Sequence, residues 1–395
     1  MRVLVFGSDP GTLKGPSHPT YRRLRSYAKR VEWLGILNYS SRNHKPFADR
    51  EAPLFVYPSN SCHKCTYPLD ALIMGNSLIK KHDVAVLVSQ DPFVFGVIVY
   101  LLSAWHKIPF ITHIHADMVG NKYWLREKLS HRILDHIARF VIRKAKIIRT
   151  VSTKISENLL KMGCPPGKIF YVSPPVNPLS FGSTNLKVES VLINKYRLNK
   201  NETFIFIGRL SYQKNVDMIL KASSIVKKIY PNHKILLIGE GPEKKALMRK
   251  AESLEVGGNV LFLGEIPYQE LGSHLKVSLA LVLTSFYEGA AKVIKEAAFA
   301  GKPVITTDTS GISDTIEGDR TGLVVPIGDF YALAKSMRYL LKNRYEADRM
   351  GEKARHYMHE RFDYQNDIDR IVDVWRRIES IGKGDNDDER LHAPV

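Results

Sequence analysis

Two glutamates, Glu288 and Glu296, stand eight positions apart in SFYEGAAKVIKEAAFAGKPVI, residues 285–305. The apolar run 279–284 before them reads as a buried strand, and AAKVIKEAAFA after Gly289 reads as a helix that stops at Gly301, ahead of Pro303. Gly289, Ala290 and Ala291 are small, so a ligand can approach the N–H groups at that helix start, where the dipole favours phosphate. A helix beginning near Ala290 carries Glu296 roughly 9 Å along its axis. One carboxylate then stands at the mouth of an anion site, and the other lies deeper, within reach of a nucleoside's sugar hydroxyls. An ordinary strand–turn–helix with two solvated glutamates has the same pattern. A second element weighs against that plainer reading. FIFIGRL (204–210) is a buried strand that breaks at Gly208, followed by Arg209 and then Lys214. A guanidinium forks onto two oxygens and an ammonium acts as a mobile point charge, which together suit a diphosphate.

On these residues the chain resembles a known family. GRLSYQKN (208–215), the Glu-x7-Glu stretch with its following AxxxGKPVI, and TGLVVPIGD (321–329) are similar to the family 4 retaining glycosyltransferases of the GT-B fold. The resemblance covers 200–362 and, more loosely, the N-terminal half. It implies an α/β protein of two Rossmann-like doubly wound domains facing across a cleft. It also implies a donor that is a UDP- or GDP-sugar, with no metal and no cofactor. Arg209 and Lys214 would hold the diphosphate and stabilise the charge developing on the leaving group. Glu296 would accept from the ribose hydroxyls, Glu288 would meet the transferred sugar, and backbone at Gly289, Ala290, Ala291 and Lys292 would line sugar and phosphate. Backbone near Ile266 would meet the base. His115 matches the histidine across the cleft from the donor sugar, and Gly11 and Gly15 lie in the first strand-to-helix loop, where the family's glycines approach donor and acceptor. Two departures stand out. Ala290, Ala291 and Lys292 replace the family's large-then-small pattern, which leaves the donor sugar open, and the usual adjacent Gly-Gly is absent from the first loop.

Length and composition fit two globular domains: 395 residues, 44% hydrophobic and 25% charged. The net charge of +18 is unevenly spread. Residues 1–180 hold 26 Lys and Arg against 11 Asp and Glu, whereas 181–395 hold 32 against 29. Such a field attracts nucleic acid, anionic lipid or an acidic substrate. Three cysteines, Cys62, Cys65 and Cys164, cannot all pair, which suits a reducing compartment. Cys62 and Cys65 lack a second pair, so zinc is not expected. No secretory signal is read at the start, and the longest apolar run, 93–105, is too short for a bilayer span of roughly 20 residues. The expectation is a cytoplasmic protein, peripheral at the cytoplasmic face of a membrane.

Strand-like and helix-like segments alternate along both halves. Expected strands are 1–7, 83–90, 109–117, 146–152 and 168–177, with a basic helix from about Thr20 and an apolar one over 93–106. Prolines at 174, 175 and 178 mark a connector. In the second half the strands are 203–207, 234–238, 259–263, 279–284, 303–307 and 323–325. The domains expected are 1–178 for the acceptor, a linker over 179–200, 201–362 for the nucleotide sugar, a helix over 363–380 crossing back to the first domain, and a disordered tail over 381–395.

Residues 122–149 contain nine Lys or Arg against two acids, with Leu129, Ile133, His136/Ile137 and Phe140 at helical spacing. That stripe is what a helix packed on a sheet shows, while the basic residues and the aromatics at its start suit an anionic bilayer surface. The leading function is a retaining transfer of a sugar to a glycan or lipid-linked acceptor, in cell-surface polysaccharide or glycolipid synthesis. The alternatives are another GT-B activity (an epimerase or a phosphorylase) and a non-catalytic nucleic-acid binder. A glycosidase is disfavoured because neither glutamate lies in a context apolar enough to raise its pKa. No Asp-x-Asp stands at a strand end and no nucleic-acid motif occurs, so no nucleic-acid partner is expected.

Overall fold

The computed structural model describes residues 1–41, 43–182 and 185–382, with side chains through Glu379. The first half runs β1 (Arg2–Gly7), α1 (Pro19–Ala28), β2 (Trp33–Asn38), β3 (Phe47–Ala48), β4 (Leu54–Pro58), α2 (Tyr67–His82), β5 (Val86–Ser89) and α3 (Val94–His106). It continues with β6 (Phe110–Ile114), α4 (Lys122–Glu127), α5 (Ser130–Lys144), β7 (Ile147–Thr150), α6 (Thr153–Lys161) and β8 (Ile169–Tyr171). The sheet order is β3-β4-β2-β1-β5-β6-β7-β8, parallel apart from the short edge strand β3. Strands such as VLVS and IIRT are buried on both faces, so they read as continuous rather than alternating runs. Helix starts follow local chemistry: His18 Nδ1 accepts from Thr20 N ahead of Pro19, and Ser152 Oγ from Ile155 N.

The second half opens with α7 (Leu179–Gly182) and α8 (Leu186–Tyr196), where the sequence suggested a linker. Leu192 of α8 is buried in the second core, so this stretch packs with the domain that follows it. Then come β9 (Thr203–Ile207), α9 (Val216–Lys227), β10 (Lys234–Ile238), α10 (Lys244–Ser253), β11 (Val260–Gly264), α11 (Leu271–Lys276), β12 (Ala280–Leu283) and α12 (Lys292–Phe299). The last elements are β13 (Val304–Thr307), β14 (Gly322–Val325), α13 (Phe330–Lys342), α14 (Arg344–Arg361) and α15 (Tyr364–Gly382). The second sheet is parallel throughout, ordered β11-β10-β9-β12-β13-β14. Helix α15 returns to the first sheet and buries Ile368, Ile371, Val372, Trp375 and Ile378 against it. Residues 381 and 382 continue this helix, and the remainder of the expected tail lies outside the described residues.

Leu129, Ile133, His136 and Phe140 of the stripe along α5 face solvent, contrary to the packing expectation, while Ile137 packs partly against the core. The helix instead buries Asp135, Ala138, Val141 and Ile142, while Leu129 and Ile133 are 82% and 65% exposed. Asp135 belongs on the inner side because it accepts from Gly120 N at 2.7 Å and pairs with Arg139. Neighbouring helices add Leu69 and Ile73 from α2 and Leu101 and Trp105 from α3 to the exposed apolar surface.

Candidate active site

In each sheet the chain runs outward from one central pair of strands, β1/β5 in the first and β9/β12 in the second. At such a reversal the loops diverge and leave a crevice at the strands' carboxyl ends. The two crevices face each other and enclose a cavity of about 620 Å³. Gly7, Asp9, Gln90 and His115 line it from one side, and Ile207, Lys214, Glu288 and Glu296 from the other.

On the C-terminal side, the loop after β12 is tied to the loop after β9. Phe286 N donates to Gln213 O at 2.8 Å, and Gln213 Nε2 to Tyr287 O at 3.0 Å. This fixes Lys214 against Glu288, whose carboxylate also accepts from Ser285 Oγ at 2.5 Å. Glu288 is 5% exposed. An ammonium and a carboxylate thus share one atom's neighbourhood at the cavity wall. Helix α12 begins at Lys292, after Ala291 at φ +22°, a strained turn that opens the helix start to the cavity. Glu296 lies one turn in, 7% exposed, with Tyr268 Oη donating to its Oε1 at 3.3 Å. Contrary to the sequence reading, burial pushes the Glu296 carboxyl up from its ordinary range, opposed by Lys292 and by the Tyr268 bond.

On the N-terminal side, His115 Nε2 is 2.9 Å from Gln90 Oε1. The ring opens onto the cleft, yet protein and the cations Arg149, Arg23 and Lys292 surround it, so its pKa is driven down and the imidazole is neutral. The halves touch at the site itself. Asp117 N donates to Glu288 O at 3.2 Å, and a Cβ built on Gly289 would lie 1.8 Å from His115 O. Only glycine fits between these two backbones. Farther out, Tyr287 Oη donates to Glu127 at 2.7 Å, and Lys295 Nζ reaches across to Ser173 Oγ at 2.6 Å.

The structure gathers Lys214, Glu288, Gly289, Ala290, Ala291, Lys292, Glu296 and His115 around one cavity. Other sequence candidates stand back from it. Arg209 is exposed beside Gly208, Ile266 packs partly into the second core, and Gly11 and Gly15 lie in the first loop without lining the cavity. Gly11 serves that loop: its N–H is taken by Asp9 Oδ1 at 2.8 Å, and a Cβ there would strike His18. Sequence reasoning missed Asp9, Thr20, Arg23, Gln90, Asp91 and Arg149 on the cavity wall. Position alone could have found Gln90 and Asp91, which stand at the C-terminal end of the strand expected over 83–90. Among the described residues no group of three His, Cys, Asp or Glu side chains could hold a metal ion, and no helix is long and apolar enough to cross a membrane.

Residues 190–357 match a family model described as glycosyl transferases group 1, and residues 19–178 match one described as glycosyltransferase family 4. Glycogen synthase of Mycobacterium tuberculosis is 24% identical over 266 residues, 67% of this chain and 62% of that protein. N-acetyl-alpha-D-glucosaminyl L-malate synthase of Bacillus anthracis is 27% identical, covering 58% of this chain and 59% of that one. The chain thus spans about three fifths of the length of these relatives. Among solved structures, sucrose-phosphate synthase of Thermosynechococcus elongatus superposes with a TM-score of 0.81 at 17% identity, covering 96% of this chain and 100% of that one. Anabaena HepE in complex with UDP superposes with a TM-score of 0.73 at 17% identity, covering 95% and 100%. With both halves matched in chain order and two facing parallel-sheet domains, the chain belongs to the family 4 glycosyltransferases of the GT-B fold.

Proposed function

We propose that the protein transfers a sugar from a nucleotide-diphosphate sugar to a glycan or lipid-linked acceptor, with retention at the anomeric carbon. The observation that carries this reading is the grouping of Lys214, Glu288, the opened start of α12 and Glu296 on one wall, with neutral His115 facing them. A diphosphate entering there meets Lys214 and the α12 N–H groups, and the exposed Arg209 beside Gly208 would swing in to reach it. These groups stabilise the charge on the departing diphosphate without a metal. Glu296 takes the ribose hydroxyls and Glu288 the sugar. Relatives named for GDP-mannose-dependent transfer and neighbours solved with UDP and UDP-glucose support a UDP- or GDP-sugar donor.

The acceptor is drawn from cell-surface polysaccharide or glycolipid synthesis, at the cytoplasmic face of a membrane. Supporting this place are the outward apolar residues Leu129 and Ile133, in the same stretch as the exposed Arg126, Lys128 and Arg132. Apolar side chains entering the headgroup region, ringed by cations, suit an anionic bilayer.

The deciding experiment screens hydrolysis and transfer across a panel of nucleotide sugars and reads the product anomer by NMR. One UDP- or GDP-sugar should be consumed with its anomeric configuration kept. An inverted product ends the retaining reading, and no turnover with any donor ends the enzymatic one. Turnover should persist in EDTA, and loss restored by Mg²⁺ or Mn²⁺ would end the metal-independent reading.

A further inference from the structure

The cavity continues past the reacting groups. Val5, Ile36, Ile371 and Trp375 line it, and all four belong to the core between the first sheet and helices α1 and α15. An inner lobe therefore runs from the cleft into the N-terminal half. His113 and Arg149 stand on its wall as paired residues of β6 and β7, 2% and 4% exposed.

Arg149 Nη2 donates to Val172 O at 2.9 Å, and its Nη1 lies 3.5 Å from His113 Nδ1. Burial and the neighbouring guanidinium keep His113 neutral, so with Nδ1 facing a donor its proton sits on Nε2. Three nitrogens on residues that line this lobe are buried and have no partner among the described residues: Arg149 Nε, His113 Nε2 and Trp375 Nε1. Each presents an N–H and none an acceptor. One buried carboxylate, Asp367, acts on the Arg149 charge, and it serves Lys295 as well. Its Oδ2 lies 4.0 Å from Lys295 Nζ and has no hydrogen-bond partner among the described residues. Asp9 accepts from Gly11 N and Thr20 Oγ1, and Asp91 from Phe93 N. A buried guanidinium that shares its carboxylate with Lys295, beside two orphaned donors, is destabilising unless an anion completes the group.

We infer that the inner lobe holds an oxyanion carried by the acceptor, a carboxylate or a phosphate, against Arg149, His113 and the Trp375 indole N–H. The inference rests on the reading of the opposite wall as the donor site. The acceptor's adjoining carbon skeleton lies against Val5, Ile36 and Ile371, with the hydroxyl to be glycosylated toward His115 and the cleft.

The test uses the full chain saturated with UDP. Methyl glucuronoside and glucose 6-phosphate are titrated against neutral methyl glucoside, by calorimetry and by tryptophan fluorescence. At least one anion should bind, with methyl glucoside roughly tenfold weaker or more, and the better anion tells carboxylate from phosphate. Arg149→Met should weaken the anion by about ten- to a hundredfold and leave UDP affinity unchanged. Arg149→Lys should restore part of it, and Trp375→Phe should remove the fluorescence response. Equal binding of the neutral sugar, anion binding indifferent to Arg149→Met, displacement of the anion by UDP, or no anion binding at millimolar concentration would each overturn the inference. Should Arg149→Met not fold, the Lys variant and the wild-type preference decide it. Anion binding that survives in a protein unable to bind UDP supports the subsite and overturns the donor reading instead.

Discussion

In the C-terminal half the cavity wall comes from two short runs, 207–214 and 288–296, whereas on the N-terminal side it is drawn from β1, α1, β2, the loop after β5, α3, β6, β7 and the returning α15. The two sheets share one topological plan, a reversal between a central pair of strands. On the proposed reading they differ in what the plan must hold. A diphosphate is satisfied by backbone N–H groups and a few cations that one strand–loop–helix supplies. The opposite wall needs side chains converging from many strands, and only tertiary packing brings them together. Charge follows the same division, with the excess of Lys and Arg in the first 180 residues.

The largest effect should fall on the compact wall. Lys214→Ala and Glu288→Ala should each lower transfer by about a thousandfold or more while the protein stays folded, because on the proposed reading both groups act where charge develops. Turnover near wild type in either variant, with circular dichroism unchanged, would break the assignment of this wall to the chemistry.

Next comes the charged half. Replacing Arg139, Arg143, Lys144 and Lys146 with glutamine should weaken binding to anionic vesicles by about a hundred- to a thousandfold, at ~1 kcal/mol per cation near the surface. Donor hydrolysis in solution should hold, since the donor wall lies in the other half. Equal binding to neutral and anionic vesicles, or to neither, removes the membrane reading. Salt-sensitive binding to RNA without sugar turnover would favour the nucleic-acid alternative.

These two predictions draw on features of unequal legibility. Strands 203–207 and 234–238 have the bounds expected from sequence, because each is an unbroken apolar run with a glycine or turn after it. Strands β2 and β4 went unread, since WLGILN and LFVYP are short apolar runs that periodicity does not distinguish from helix. Prolines at 174, 175 and 178 suggested a stiff connector and hid the helices that follow. On α5 the spacing revealed an apolar stripe but not its direction, because Asp135 occupies the inner face through bonds no pattern announces. Arg149 was read as part of a basic run. Its burial follows from the parity of β7, where it points the same way as Ile147 into the core under α15.

Where the halves meet, a single methyl group should matter. Gly289→Ala places Cβ at 1.8 Å from His115 O, so the domains must part. Turnover should fall about a hundredfold, the scale of an ångström's misplacement, with nucleotide affinity little changed. Unaltered turnover would show that the halves need not approach this closely.

The buried pair Lys295–Asp367 should give a smaller, pH-dependent signature. Burial raises Asp367 from 3.8 to about 6, and Lys295 opposes it. Its folded-state pKa exceeds the unfolded one, so its contribution to stability is full below pH 3.8 and is lost as pH rises through about 6. The loss is no more than about 3 kcal/mol. Asp367→Asn should flatten denaturant stability between those limits relative to wild type, while an identical slope in both proteins rejects the pair's titration.

The smallest effect separates the two glutamates of the compact wall. Glu288 sits beside Lys214 at the mouth, whereas Glu296 is one turn into α12 and bonded to Tyr268. A ribose contact is made equally in the ground and transition states, so its loss changes binding without changing the barrier from the bound complex. Glu296→Ala should therefore raise the donor KM by about tenfold and leave kcat within about twofold. Glu296→Gln, which keeps one accepting oxygen and the shape of the site, should fall between the two. The converse pattern, kcat lost at constant KM, would move Glu296 to the reacting centre and make the two carboxylates one catalytic unit. An unchanged KM would remove it from the ribose site and leave Glu288 as the wall's only substrate-binding acid.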